Sequence, residues 1–242
     1  LNILALDTSS TSGSVAICKD NKISFISYLD IQVTHSERLM PQIDFGLKQA
    51  KLTIDDIDMI CLSNGPGSFT GIRIGLATAK GFCMGREIPL LPVNTLKLLA
   101  YNLYGCKWSI LPFIDAKMDE VYAALYSSEL EEKIPPQNAK PDVFLKMIDE
   151  PVIFVGDGAI KYKEKIKKSG IQFEMALPHQ NIPLASTLIS IALKMNKIPK
   201  FDFDFIAELE PYYLRKSQAE IMKEKVNLQT PSEASASEGN NF

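Results

Sequence analysis

The stretch "NILALDTSSTSGSVAICKDNKISFISYLD", residues 2–30, decides the fold class. Its runs "NILALD" (2–7) and "SVAICKD" (14–20) have the length of buried strands and are too short for core helices. "KISFISYLD" (22–30) follows at once, with Asp20-Asn21 forming a tight turn. The loop between the first two runs, "TSSTSG", is rich in hydroxyls and ends in Gly13. Then "THSERLMPQIDFGLKQA" changes period. Thr34 with Glu37 makes a capping-box pattern, and Leu39, Ile43, Leu47 and Ala50 recur at helical spacing. Pro41 lies near the start of that helix, where a missing N–H costs least. A strand "DMICLSNG" (58–65), a strand "IPLLPVN" (88–94) and a helix "TLKLLAYNLYG" (95–105) closed by Gly105 complete the first half.

The alternation restarts at "SILPFIDAK" (109–117) and "VYAALYS" (121–127). "PVIFVGDGAIKYKEKIKKSG" predicts a buried strand, a glycine turn and a helix closed by Gly170, and "PLASTLISIALKM" (183–195) predicts another amphipathic helix. Strand-rich openings followed by crossover helices, twice over, indicate α/β architecture in two similar lobes. The expected division is an N-terminal lobe over 1–105, a C-terminal lobe over 106–216 and a polar, disordered tail over 217–242 ending in "TPSEASASEGNNF".

Within the first half, "LSNGPGSFTGIRIGLATAKGFCMG" (62–85) concentrates small residues. It misses the Walker spacing, because Ile72 follows Gly71, and it misses GxGxxG, because Thr70 stands at the third glycine. After the "GPG" turn it predicts a helix from Gly71 to Gly85 with Ser68 or Thr70 as N-cap. Gly71, Gly75, Ala79 and Cys83 share one face, with Ile72, Leu76 and Phe82 beside it. A mid-helix glycine costs about 1 kcal/mol against alanine, so Gly75 and Gly81 imply a close neighbour. That neighbour is either part of the same chain or a partner's helix, and spacing does not choose between them.

The 242 residues are 46% hydrophobic and 23% charged with net charge −3, which suits a globular chain and argues against a wide nucleic-acid-binding surface of its own. Cys18, Cys61, Cys83 and Cys106 lie far apart without a CxxC, as expected of reduced thiols. No run approaches membrane-spanning length and no basic leader precedes Asp7, so the expected location is the cytoplasm.

The segments "LALDTSSTSGSVAI", "HSERLMPQI", "SNGPGSFTGIRIGLATAKG", "PVNTLKLLA", "IDAKMDEVYAALY", "VGDGA" and "PYYLR" resemble, in order, the bacterial TsaB (YeaZ) family of tRNA threonylcarbamoyladenosine biosynthesis proteins. The resemblance runs from residue 2 to about 216, and "GPGSFTGIRIG" is its most specific part. It implies a two-lobed actin-like ATPase (ASKHA, ribonuclease H-like) fold. It further implies a non-catalytic scaffold that binds the catalytic paralogue TsaD, joined by the ATPase TsaE. That complex makes N6-threonylcarbamoyladenosine beside the anticodon of tRNAs reading codons that begin with A. ATP and metal are expected on the partner subunits, tRNA through the complex, and self-association through the surface offered to TsaD. That surface is expected on the helices after "HSE" and "GPGSFTG", which assigns Leu39, Ile43, Leu47, Gly71, Ile72, Gly75, Leu76, Ala79 and Cys83 to the interface.

The resemblance also places Thr95 and Leu99 where the paralogue has its two metal-binding histidines, and a leucine cannot ligate. The only histidines, His35 and His179, are far apart in sequence. No HExxH motif or nucleophile–His–acid set supports a peptidase. Actin-like kinases bring the first-hairpin loop to ATP phosphates. By that analogy Asp7, Thr8, Ser9 and Ser10, facing Gly156, Asp157 and Gly158, form either a nucleotide cleft or the remnant of one. An independent small-molecule kinase or ATPase is the competing function.

Overall fold

The computed structural model describes residues 1–30, 35–195 and 197–215. The Thr34 cap and the 217–242 tail expected from the sequence lie outside the described residues. The opening forms β1 (Ile3–Asp7), β2 (Gly13–Lys19) and β3 (Lys22–Leu29), and the helix that follows is α1 (His35–Ala50). Strand β4 (Met59–Ser63), helix α2 (Phe69–Arg86), strand β5 (Leu90–Val93) and helix α3 (Thr95–Tyr101) come next. The first sheet has the order β3-β2-β1-β4-β5, with β1 antiparallel to β2 and parallel to β4.

The second half repeats this plan. Strands β6 (Ser109–Lys117), β7 (Glu120–Tyr126) and β8 (Glu132–Ala139) make the meander, then come α4 (Pro141–Leu145) and β9 (Val152–Val155). Short helices α5 (Asp157–Lys161) and α6 (Lys163–Lys168) lead to β10 (Phe173–Met175). The sheet order β10-β9-β6-β7-β8 is that of the first sheet strand for strand. Strand β8 carries Pro135 and Pro136 at the sheet edge, where a missing N–H breaks no central ladder.

Period-two alternation sets the layers. Leu4, Leu6, Val15, Ile17, Ile60 and Leu62 point to one side of the first sheet, where Leu39, Ile43 and Leu47 of α1 and Leu76, Ala79 and Cys83 of α2 cover them. Ile3, Ala5, Ala16, Cys18, Met59 and Cys61 point to the other side. Their cover is α7 (Ala185–Leu193), which brings Ala185, Leu188, Ile189 and Ala192 back from the far end of the chain. Each such fully buried leucine or isoleucine contributes about 2 kcal/mol, so the open face demands a lid. Helix α8 (Phe203–Glu208) then seats Ile206 beside α2. The expected boundary at 106–216 is therefore corrected. The second sheet ends at Met175, and α7 and α8 pack on the first lobe.

A second correction concerns the nine assigned interface residues. Leu39, Ile43, Leu47, Gly71, Ile72, Gly75, Leu76, Ala79 and Cys83 are all buried within the chain. The α2 backbone lies against the loop after β1. A Cβ at Gly71 would run into the Thr8 carbonyl, and one at Gly75 into the Thr8 hydroxyl. Thr8 Oγ1 donates to the Gly71 carbonyl at 2.7 Å, which locks the contact. Ser68 is the N-cap, its Oγ accepting from the Gly71 N–H at 3.2 Å. The small-residue stripe clears room for the chain's own loop.

Gly71→Ala is expected to lose about 1–3 kcal/mol, the usual cost of overpacking a filled site. Gly75→Arg, which also brings a charge against Leu62, is expected in the insoluble fraction. Urea melts and solubility assays check both, and a soluble, fully folded Gly75→Arg would contradict this packing.

Candidate functional site

One cleft of about 750 Å³ lies between the two lobes. The hydroxyl loop Ser9–Ser12 and the start of α2 at Gly67–Phe69 face it from the first lobe. Ile114–Lys117, Tyr122 and Asp157 face it from the second, and Thr95 and Leu99 of α3 sit at its base. Tyr213 and Arg215 close one rim. Tyr213 stacks on Phe69 with ring centroids 4.9 Å apart and accepts a hydrogen bond from Arg73 Nε at 2.8 Å, while Arg215 reaches Glu120 at 3.1 Å. The last described residues thus bridge α2 and β7.

The predicted nucleotide loop is only partly present in this cleft. Asp7 is fully buried below it, its Oδ1 accepting from Ser9 Oγ at 2.7 Å and from Ser63 Oγ. Asp7 Oδ2 has no hydrogen-bond partner among the described residues. Burial pushes this carboxyl up to about 6, against the pull of the Ser63 and Ser9 hydrogen bonds. Thr8 is spent on Gly71. Ser9 reaches the cleft wall, and Ser10 faces it. Gly156 and Gly158 serve packing. A Cβ at Gly158 would stand 2.6 Å from the Phe113 carbonyl, so glycine lets α5 lie on β6. Only Asp157 of that trio lines the cleft, with its Oδ1 accepting from the Asp115 N–H at 3.0 Å. The helix it opens has five residues. Of the residues named for the nucleotide cleft or its remnant, Asp7, Thr8, Gly156 and Gly158 are thus engaged in packing or hydrogen bonds within the chain, while Ser9, Ser10 and Asp157 line the cleft.

Besides Asp157, the charged residues lining the cleft include Asp115, Lys117 and Arg215, which the sequence reading did not assign to it. Burial works against ionised Asp115, yet Lys117 and Lys161, each at 2.9 Å, hold its carboxyl below the usual range. Asp157 goes the other way, raised by burial. The restart of the strand pattern at 109–117 was the signal that Asp115 lies near the end of a strand, here β6, on the cleft. Arg215 and Tyr213 belong to "PYYLR", and nothing in their spacing foretold a return to α2.

Neither histidine faces a nucleophile. His35 bonds the Ser10 backbone carbonyl and Arg38, and His179 is exposed on the turn Pro178–Asn181. Thr95 is buried, and Leu99 packs with Leu96, Ala100 and Leu103. No group of three His, Cys, Asp or Glu with metal-binding geometry occurs among the described residues. The same residues include no helix long and apolar enough to cross a membrane.

Two copies of one five-stranded sheet closing on a single cleft define an actin-like, ribonuclease H-type α/β protein. A family profile described as "TsaD: tRNA N6-adenosine threonylcarbamoyltransferase" matches residues 30–229. The tRNA threonylcarbamoyladenosine biosynthesis protein TsaB of Bacillus subtilis is 31% identical over 91% of this chain and 96% of its own length. TsaB of Escherichia coli is 29% identical over 90% of this chain and 96% of its own. A Pseudomonas aeruginosa crystal structure described as similar to peptidase YeaZ superposes with a TM-score of 0.72 at 27% identity, covering 88% of this chain and 99% of that one. The chain belongs to the TsaB (YeaZ) family of tRNA threonylcarbamoyladenosine biosynthesis proteins.

The raised Asp7 pKa has a defined sign. The folded state holds the proton more tightly than the unfolded state, so this group's stabilisation is full below about pH 4 and is lost as pH rises through about 6. Asp7→Asn keeps an Oδ1 acceptor for both serines and cannot ionise. The stability of the native protein relative to this variant is expected to fall by about 2 kcal/mol between pH 4 and pH 7. Urea melts across that range check it, and parallel profiles would contradict a buried, titrating Asp7.

Proposed function

We propose that this chain is a non-catalytic subunit in the synthesis of N6-threonylcarbamoyladenosine beside the anticodon of tRNAs reading codons that begin with A. A TsaD-like paralogue supplies the catalytic site and metal, a TsaE-like ATPase supplies nucleotide turnover, and tRNA is engaged through the complex in the cytoplasm. The observation that carries this reading is the junction of β5 and α3. There the catalytic paralogue's pattern has two histidines, and here Thr95 and Leu99 are both buried. Leu99 has no lone pair to offer and packs among Leu96, Ala100 and Leu103, which leaves Thr95 Oγ1 as a lone hydroxyl where the paralogue's pattern has an imidazole pair. The names of relatives that span nine-tenths of the chain support the pathway.

The partner surface moves to the outer faces of the same two helices. On α2, Ala77, Gly81 and Gly85 recur every fourth residue and are exposed, and nothing lies within 4 Å of a Cβ placed at Gly81 or Gly85. On α1, Met40 and Phe45 are exposed large apolar residues. Two adjacent helices with small and apolar outer positions suit a helical bundle with the paralogue, or with a second copy of this chain. No mid-helix glycine is required at 81 by the monomer, so its cost of about 1 kcal/mol against alanine is offset only in an assembly.

Gly81→Arg is expected to fold like the native chain, since its side chain enters open space. It is expected to lower affinity for the paralogue at least tenfold, which corresponds to about 1.4 kcal/mol or more. Binding by calorimetry and reconstituted tRNA modification check this together. Normal assembly by a folded Gly81→Arg would move the interface elsewhere. ATP-dependent turnover of a small molecule by the chain alone would replace the scaffold reading with that of a kinase.

A further inference from the structure

His35 occupies a place in which charge is poorly tolerated. It is the first residue of α1 and is 9% exposed. Its Nε2 lies 2.8 Å from the Ser10 carbonyl oxygen, and its Nδ1 lies 3.1 Å from Arg38 Nη2. A carbonyl only accepts and a guanidinium only donates, so the chemistry fixes the ring as neutral, with its proton on Nε2. Arg38, itself 7% exposed, also donates from Nη2 to the Thr11 carbonyl at 2.7 Å. Two side chains one helical turn apart thus hold two successive carbonyls of the hydroxyl loop on the cleft wall.

We infer that His35 and Arg38 form a clamp that ties α1 to the loop Ser9–Ser12, and that protonation of His35 opens it. A second proton would sit on Nδ1, facing the guanidinium. The His35–Arg38 bond would be lost and two cations would stand about 3 Å apart. The same imidazolium would lie at the N-terminus of α1 and against Gly71 in the first turn of α2, both positive ends of helix dipoles. The loop presents its Ser10 carbonyl, and β2 and α2 present Gly13 and Gly71, none of them ionisable. On α1, Glu37 is exposed and Arg38 is the charge that faces the ring. The carboxyl beneath the loop, Asp7, turns to Ser9 and Ser63. Burial and the Arg38 charge hold the His35 pKa below its ordinary value, against the Ser10 carbonyl. The clamp's contribution is therefore present above the ordinary histidine value of about 6.5 and lost as pH falls through the lower folded value. This device concerns the chain alone and does not rest on the partner reading.

The test is hydrogen exchange of the full chain, read by mass spectrometry over residues 8–13 and corrected for intrinsic rates, with NMR titration of the His35 ring. One pH unit below the ring's pKa the neutral form is about tenfold depleted, so protection of the Ser10–Gly13 amides is expected to fall about tenfold. His35→Gln offers an N–H to Ser10 and an oxygen to Arg38 without titrating, and is expected to keep protection at both pH values. Protection that is independent of pH in the native chain overturns the proposal. So does a dependence that survives in His35→Gln or vanishes only in Asp7→Asn, which would make Asp7 the switch. If His35→Gln fails to fold, ring and loop-amide signals of the native chain sharing one midpoint support the clamp, and separate midpoints overturn it.

Discussion

The turn before α2 and the first turns of that helix lie with their backbone close against the loop after β1. Gly67 lies against the Ser9 carbonyl, Gly71 against the Thr8 carbonyl and Gly75 against the Thr8 hydroxyl. The Ser68 N–H donates to the Ser9 carbonyl at 2.7 Å, and Thr8 returns a hydrogen bond to Gly71. Side chains at these glycines would hold the helix off the sheet and open the core above Leu6 and Leu62. The same contact draws Asp7 under the loop, out of reach of the cleft. Packing of the first lobe and the burial of Asp7 beneath the loop thus depend on the same turn.

A sheet with two apolar faces needs covers on both. In the first lobe α1 and α2 supply one, and the chain must return through α7 to supply the other. That return carries the chain past the cleft, where Tyr213 rests on Phe69 and Arg215 reaches Glu120. Helix α3 lies between the sheets, giving Leu98 to the first and Leu96 and Leu99 to the second. Lobe closure and lobe folding therefore share residues, and the cleft is bounded by elements from both ends of the sequence.

The alternating fold and its repetition were legible in the sequence because burial on both faces writes short, nearly continuous apolar runs such as "NILALD" and "SILPFIDAK". Helix α1 and strand β6 fall within the residues read for them. Strand β8 escaped notice because Pro135 and Pro136 disguise an edge strand, and β10 is only three residues long. The return of α7 was not legible, since an amphipathic helix records that it has a buried face and not which sheet it covers. The site was read less well for a related reason. "DTSS" and "GDG" indicate tight turns and short side chains near backbone. Whether the space so made belongs to a ligand or to another segment depends on contacts distant in sequence, here Thr8 with Gly71 and Gly158 with Phe113.

The same distinction explains how α2 can be small on two sides. Gly71, Gly75 and Ala79 face the loop and the sheet, where a Cβ at either glycine would collide. Ala77, Gly81 and Gly85 face away, where a Cβ would meet nothing. A helix weakened twice over, at about 1 kcal/mol for each glycine against alanine, has a stated return on its inner side only. Nor does propensity supply a reason for the outer glycines, since alanine would fit the open space and hold the helix better. Gly81 and Gly85, with Ala77, therefore keep the outer face of α2 low on the side to which the proposed partner surface is assigned.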